Sequence, residues 1–375
     1  MAAEQVLSNA RVVLADRVID GHVVIRDGLI AEIGKGPAKG EDLEGDFLLP
    51  GLVELHTDHM EGHYAPRPGV RWNPLASVQA HDAQVAASGI TTVFDALRVG
   101  LNDDSGMSNE DFRKLGEAIH VGMDSGRLRA DHFIHLRCEV AAPDCLEGFA
   151  PFQGDSRVRI ASLMDHSPGQ RQFASIEAYR NYYQKKKRMS DAEFEAFAAR
   201  RTRESAEFAE PHRDAISARA AEMGIVLASH DDATVEQVAD ATARGIRIAE
   251  FPTSLEAARA SREGGMAILM GAPNVVRGGS HSGNVSARDL AAEGLLDILS
   301  SDYVPFSLMQ AIFAFDDQME LPDAVAMVTR HPAEAAGLTD RGVIEAGKRA
   351  DLVRVNADMG LPMVRTVWRE GRRVI

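Results

Sequence analysis

A chain of 375 residues is long enough for one large domain with a smaller companion, and 45% hydrophobic with 26% charged residues is the balance of a folded globular protein. Its net charge of −15 argues against a general nucleic-acid or membrane-surface binder, though not against a small anionic substrate, whose site can be locally basic. Only Cys138 and Cys145 are present, too few for a disulfide framework; with no bilayer-length apolar run and no signal-like N-terminus, the expectation is a cytoplasmic protein without a membrane partner.

The first 49 residues alternate in short strands. Val12-Val13-Leu14 and Gly21-His22-Val23-Val24-Ile25 lead to an Asp27-Gly28 pair, a strong hairpin signal before Leu29 to Ile33. The apolar run Phe47 to Leu55 then ends in His56-Thr57-Asp58. Successive side chains of a strand point to opposite faces, so His56 and Asp58 share one side and can hold a divalent ion. Alone, such a pair would read as a core histidine beside a solvated aspartate. It is not alone.

Leu75 to Ala87 has helical spacing with Gly89 as its stop, and Ile90 to Phe94 follows as a β-branched strand ending at Asp95. Phe133 to Val140 carries Glu139 near its end, and Val158 to Leu163 is followed by Met164-Asp165-His166. Ile225 to Ser229 runs into His230-Asp231-Asp232; Ile246 to Phe251 and Met266 to Met270 are further strands, and Leu295 to Ser301 stops at Asp302. Short apolar runs alternating with helical patterns predict a parallel α/β sheet, and metal-capable groups at the strands' C-terminal ends predict a barrel with its site on that face. Residues 170–222 break the rhythm as a polar helical insertion carrying Lys185-Lys186-Lys187-Arg188, either a solvated helix face or a lid over an anionic ligand. Gly271 to Asn284 holds four glycines, two serines, Arg277 and His281, a composition suited to backbone N–H contacts with phosphate. His59 and His63 flank the first motif without a settled role, and His81 reads as a satisfied helix residue. The C-terminus returns to strands at Gly342 to Ile344, Ala350 to Val355 and Arg365 to Trp368, which pair with the N-terminal strands in one small unit.

Leu49-Pro50-Gly51-Leu52-Val53-Glu54-Leu55-His56 and the tail Gly342 to Val353 resemble the amidohydrolase superfamily, over essentially the whole chain. The resemblance implies a (β/α)8 TIM-type barrel over residues 50–337, with the helical insertion at about 170–222, and a composite β-sandwich built from residues 1–49 plus 338–375. Four blocks narrow it: His56-Thr57-Asp58 with Arg67-Pro68-Gly69-Val70, Leu163 to Gln170, Ser229-His230-Asp231-Asp232, and Met270 to Asn284. They resemble the superfamily's diphosphatases of phosphonate breakdown. That implies metal-dependent hydrolysis of α-D-ribose 1-methylphosphonate 5-triphosphate, a small anionic phosphorylated sugar, to the 5-phosphate and diphosphate. The alternative is the superfamily's commoner chemistry, cleavage of a C–N bond in an amide or cyclic amidine.

For a phosphoanhydride, the resemblance implies two divalent ions, zinc first and manganese or iron as alternatives. His56 and Asp58 would hold one ion and His166 and His230 the other. Glu139 would bridge them, and Asp302 would touch a metal and take the proton of the attacking water. Arg67, Arg71, Arg277, Gly278, Gly279, Ser280 and His281 would receive the substrate. Asp58 stands where the superfamily has a second histidine. Counted literally, Glu139, His166 and His230 also fall on the third, fourth and fifth strands rather than the fourth to sixth, so either the strand count or a ligand is misassigned; Glu250 is the reserve ligand. The resemblance leaves pairing into a homodimer open.

Overall fold

A computed structural model describes residues 4–100, 106–171, 176–280, 283–315 and 317–375. Five strands open the chain: β1 (Glu4–Val13), β2 (Val18–Arg26), β3 (Leu29–Lys35), β4 (Glu41–Asp42) and β5 (Phe47–Pro50). Eight more follow with helices between them: β6 (Leu52–Thr57), β7 (Ile90–Val99), β8 (Asp131–Glu139), β9 (Val158–Met164), β10 (Val226–His230), β11 (Ile248–Glu250), β12 (Ala267–Gly271) and β13 (Ile298–Ser300). Last come β14 (Leu352–Asn356), β15 (Met363–Arg369) and β16 (Arg372–Arg373).

The end strands form one sheet in the order β16-β15-β14-β5-β1-β2-β3, with β4 beside β1. Its seam is the antiparallel pairing of β5 with β14, where Leu48 faces Arg354 and Leu49 faces Val353, so the two ends of the chain meet directly. The Asp27-Gly28 turn has φ of 52° and 80°, the doubly left-handed geometry that suits the strand twist. Leu7, Val12, Val23, Ile30, Leu48, Leu352 and Trp368 close the core of this unit.

Strands β6 to β13 are parallel neighbours throughout, and a parallel bridge between Thr57 and Asp302 closes the ring. Asp58 N–H donates to Asp302 O and Asp302 N–H to His56 O, both at 3.1 Å. Buried apolar residues fill the interior at one level: Phe94, Ile160, Ala228, Ile248, Leu269 and Ile298. Ala228 pairs with Ile248 and Leu269 with Ile298, and between them the register steps by two residues, with Ile248 beside Ala267. No early strand is missing: Glu139, His166 and His230 do follow the third, fourth and fifth barrel strands.

Helix 74–87 starts as capping rules require, with Asn73 Oδ1 accepting from Ala76 N–H at 3.0 Å and Pro74 in the first turn. The insertion after β9 is a pair of helices, Ile176–Lys187 and Asp191–Met223. Ser190 and Glu193 form a capping box on the second. Tyr179, Tyr183, Phe194, Phe197 and Ala198 make a separate apolar cluster between them. Both cysteines are buried and free of disulfide bonds. Among the described residues, no helix is long and apolar enough to cross a membrane.

Candidate metal centre

Two residues beyond the apolar level, on the same strand faces, the barrel turns polar. Phe133 is followed by His135, Arg137 and Glu139; Ala228 by His230; Ile248 by Glu250; Ile298 by Ser300 and Asp302. A cavity of about 430 Å³ opens there, lined by His56, Asp58, Glu61, Arg98, Arg137, His166, His230, Asp231 and Asp302 with Tyr182, Tyr183, Phe251, Arg277, Gly279, Ser280 and Tyr303 among others. That size suits a small molecule rather than a polymer.

Three histidines face it, each oriented from behind. Glu250 accepts from His56 Nδ1 through one oxygen and from His230 Nδ1 through the other, both at 3.1 Å. Glu139 accepts from His166 Nδ1 at 2.6 Å and from the His166 backbone N–H at 3.0 Å. A carboxylate on Nδ1–H leaves the Nε2 lone pair for a cation, the usual arrangement behind metal-ligating histidines. Burial alone would raise both carboxyls. His56 and His135 nonetheless hold Glu250 well below the carboxylate range, and His166 and Arg201 hold Glu139 down to about 2.

Asp231 and Asp302 complete the cluster through their backbones. Asp231 N–H still bonds to Glu250 O at 2.9 Å, yet φ there is 59°; Asp302 has φ of 54°. The left-handed turn brings Asp231 onto the cavity beside His230, where strict alternation would turn it away. Ligand atoms of His166, His230 and Asp231 lie within 4.8 Å of one another. Burial, and then the charge of Asp58, push the Asp302 carboxyl up to about 6. His56 and Arg137 only partly offset this crowding of carboxylates, and imidazole and carboxylate donors of this kind fit a divalent ion.

Several expected residues stand elsewhere. Glu139 does not reach the cavity: His166 takes one oxygen and the Arg201 guanidinium lies 3.5 Å from the other, so the bridging role expected of it is corrected to orienting His166. Glu250, the reserve ligand, orients in the same way. Arg67 is exposed and outside the cavity lining, and Arg71 bonds Asp111 at 3.3 Å on the outer surface; neither meets the cavity. Gly278 is not in the lining either. The expected glycine loop begins as a short helix, Ala272–Arg277, and Gly278 with φ of 79° ends it. Arg277, Gly279 and Ser280 do line the cavity, while His281 lies outside the described residues. Of the basic run of the insertion, Lys185 and Arg188 are exposed and Lys187 lies over the Phe197 ring at 5.2 Å; Tyr182 and Tyr183 are the helix's contribution to the cavity.

The cavity also holds two arginines that sequence reasoning passed over. Arg137 pairs with Asp58 at 2.9 Å, and Arg98 enters from β7. Each has a buried Nε–H that no acceptor among the described residues meets. Buried donors of this kind are uncommon, and a ligand with several anionic oxygens would satisfy them.

The Amidohydrolase family model matches residues 47–374. Alpha-D-ribose 1-methylphosphonate 5-triphosphate diphosphatase of Escherichia coli (strain K12) is 46% identical over 98% of this chain and 100% of its own length. Imidazolonepropionase of Treponema denticola is 24% identical over 96% of this chain and 93% of its own. Among solved structures, dihydropyrimidinase from Brevibacillus agri NCHU1002 aligns with 100% of this chain and 95% of its own at a TM-score of 0.63 and 15% identity, a likeness of fold. With a barrel closed by the His56–Asp302 strands and a family match running through both units, this chain belongs to the amidohydrolase family.

Proposed function

We propose that this chain hydrolyses α-D-ribose 1-methylphosphonate 5-triphosphate to the 5-phosphate and diphosphate. The full-length 46% identity to the diphosphatase supports the substrate. The observation that carries the reading locally is the pairing, in one cavity, of a His/Asp cluster with the unmet donors of Arg98 and Arg137. A cavity built for C–N chemistry on a neutral ring has no need of those cations.

His166, His230 and Asp231 would hold one divalent ion, and His56, Asp58 and Asp302 a second, with zinc favoured by the imidazole share and manganese or iron as alternatives. Such ions supply Lewis acidity to the attacking water and to the phosphoryl oxygens. Asp302 accepts the proton that this water loses as its oxygen bonds to phosphorus. The phosphoanhydride bond between the first and second phosphates breaks, and its electron pair leaves on diphosphate. Arg98, Arg137 and Arg277 hold the phosphate oxygens in place and take up the charge that gathers on the leaving group. Glu250 and Glu139 keep the histidines in the tautomer that presents Nε2. Tyr182 and Tyr183 close the mouth of the cavity and limit water.

Protein loaded with Zn2+ or Mn2+, mixed with the triphosphate and followed by phosphorus NMR, is expected to give diphosphate and the 5-monophosphate together. Asp302→Asn should lower the rate by roughly 10²–10⁴ while circular dichroism stays unchanged, the range for a lost general base. Stepwise release of orthophosphate would refute the bond assignment, and full activity in Asp302→Asn would refute the role of that residue.

A further inference from the structure

We propose that His59, His63 and His81 form a separate site for a divalent transition-metal ion that pins the segment after β6 to helix 74–87. Their ligand atoms lie within 4.8 Å of one another, and none of the three lines the catalytic cavity. His59 and His63 stand at i and i+4 around helix Met60–Tyr64, a spacing that puts two imidazoles on one face. His81 meets them from helix 74–87, with ring centroids 5.4 Å from His59 and 6.3 Å from His63.

The preparation of His81 is the second observation. Its Nε2–H donates to Asp95 at 2.8 Å, so its Nδ1 carries a lone pair. That Nδ1 lies 3.1 Å from the Nδ1 of His59. One proton could bridge this pair, with His63 bonded to Gln84 instead; a cation between the rings uses all three. Asp95 is itself fully buried and held by His132 at 2.7 Å, the rigid backing that orients ligating histidines elsewhere. Asp95 lies on the face of β7 opposite Phe94 and Arg98, so the cluster sits between the barrel wall and its helix layer rather than inside the barrel. His81 is buried while His59 and His63 are half-buried, which leaves an entry from solvent. Three neutral imidazoles select zinc and its softer neighbours over magnesium or calcium. The ion would brace the chain just beyond Asp58, and the inference stands whether or not the proposed hydrolysis does.

The test counts metal in the full-length protein after equilibration with Zn2+ and removal of loose ions, by inductively coupled plasma mass spectrometry. Wild type is expected to bind one equivalent more than His63→Ala and His59→Asn, with hydrolysis of the triphosphate retained in His63→Ala. An equal count in wild type and either variant overturns the site. A measurement on wild type alone guards against a variant that does not fold: in nitrogen-15 histidine spectra, added Zn2+ should shift the ring nitrogens of His59, His63 and His81 together. If those three do not move while the protein takes up zinc, the site is refuted.

Discussion

One carboxylate orients two histidines in this cavity, which makes Glu250 the residue on which the centre depends most. Replacing it with glutamine preserves shape but offers one carbonyl oxygen and one NH2 group. The NH2 facing either His56 or His230 would force that ring to accept at Nδ1 and carry its proton on Nε2, removing a lone pair from the cavity. Glu250→Gln should therefore weaken metal binding by roughly 10–100-fold, measured by competition with a coloured chelator. Undiminished affinity would mean that His56 and His230 are not ligands. At this scale the sequence was partly legible. His56, Asp58, His166, His230 and Asp302 stand out as polar side chains where apolar strands end. Arg137 was within reach of the same rule, being one strand repeat from both His135 and Glu139. Asp231 was not, because alternation sends it away from His230, and only the left-handed φ of 59° returns it. Arg67 and Arg71 show the opposite error: charge near a motif in sequence is not charge near the site in space.

The insertion behaves as an element with its own interior. Tyr179, Tyr183, Phe194 and Phe197 are buried against one another, and Tyr183 also lines the cavity. From the second helix Arg201, 2% exposed in its side chain, extends to Glu139 and so backs His166. Phe194→Ala removes a fully buried ring from this cluster, a change that costs about 3–5 kcal/mol in ordinary cores. Because the cluster is separate from the barrel's, the loss should appear as faster amide exchange across residues 176–200 and a raised KM, with β6 to β13 still protected. Exchange rising equally in the barrel strands would show that the insertion is not an independent unit. The helical character of this segment was evident from its Ala-, Glu- and Arg-rich composition. Helix 272–277 was not, since four glycines within Gly271 to Asn284 read as a loop, although Pro273 in the first turn and Gly278 after the last are helix punctuation.

Across the whole molecule, the barrel and the terminal sheet are joined by a half-buried carboxylate. Asp131, at the start of β8, receives Arg341 and Arg349 at 2.7 Å each and Arg369 at 3.3 Å, all three from the C-terminal segment. Burial on its own would raise the Asp131 pKa, but Arg349, Arg341 and Arg369 together hold it below the usual carboxylate range. Asp131→Asn leaves three cations facing a neutral amide, and losing one partner of a half-buried charged hydrogen bond costs about 1–3 kcal/mol. The pH dependence has a definite sign. A carboxyl whose pKa is lower in the folded than in the unfolded chain adds stability above the unfolded value of roughly 3.9, and that stability drains away as pH falls toward the folded value. Urea unfolding of wild type and Asp131→Asn at a series of pH values should thus show a gap that is widest at neutral pH and narrows below roughly pH 4. A gap that stayed constant into acid would assign the loss to packing rather than charge. A variant as stable as wild type at pH 7 would mean that the Asp131 charge adds nothing to the junction of the two units.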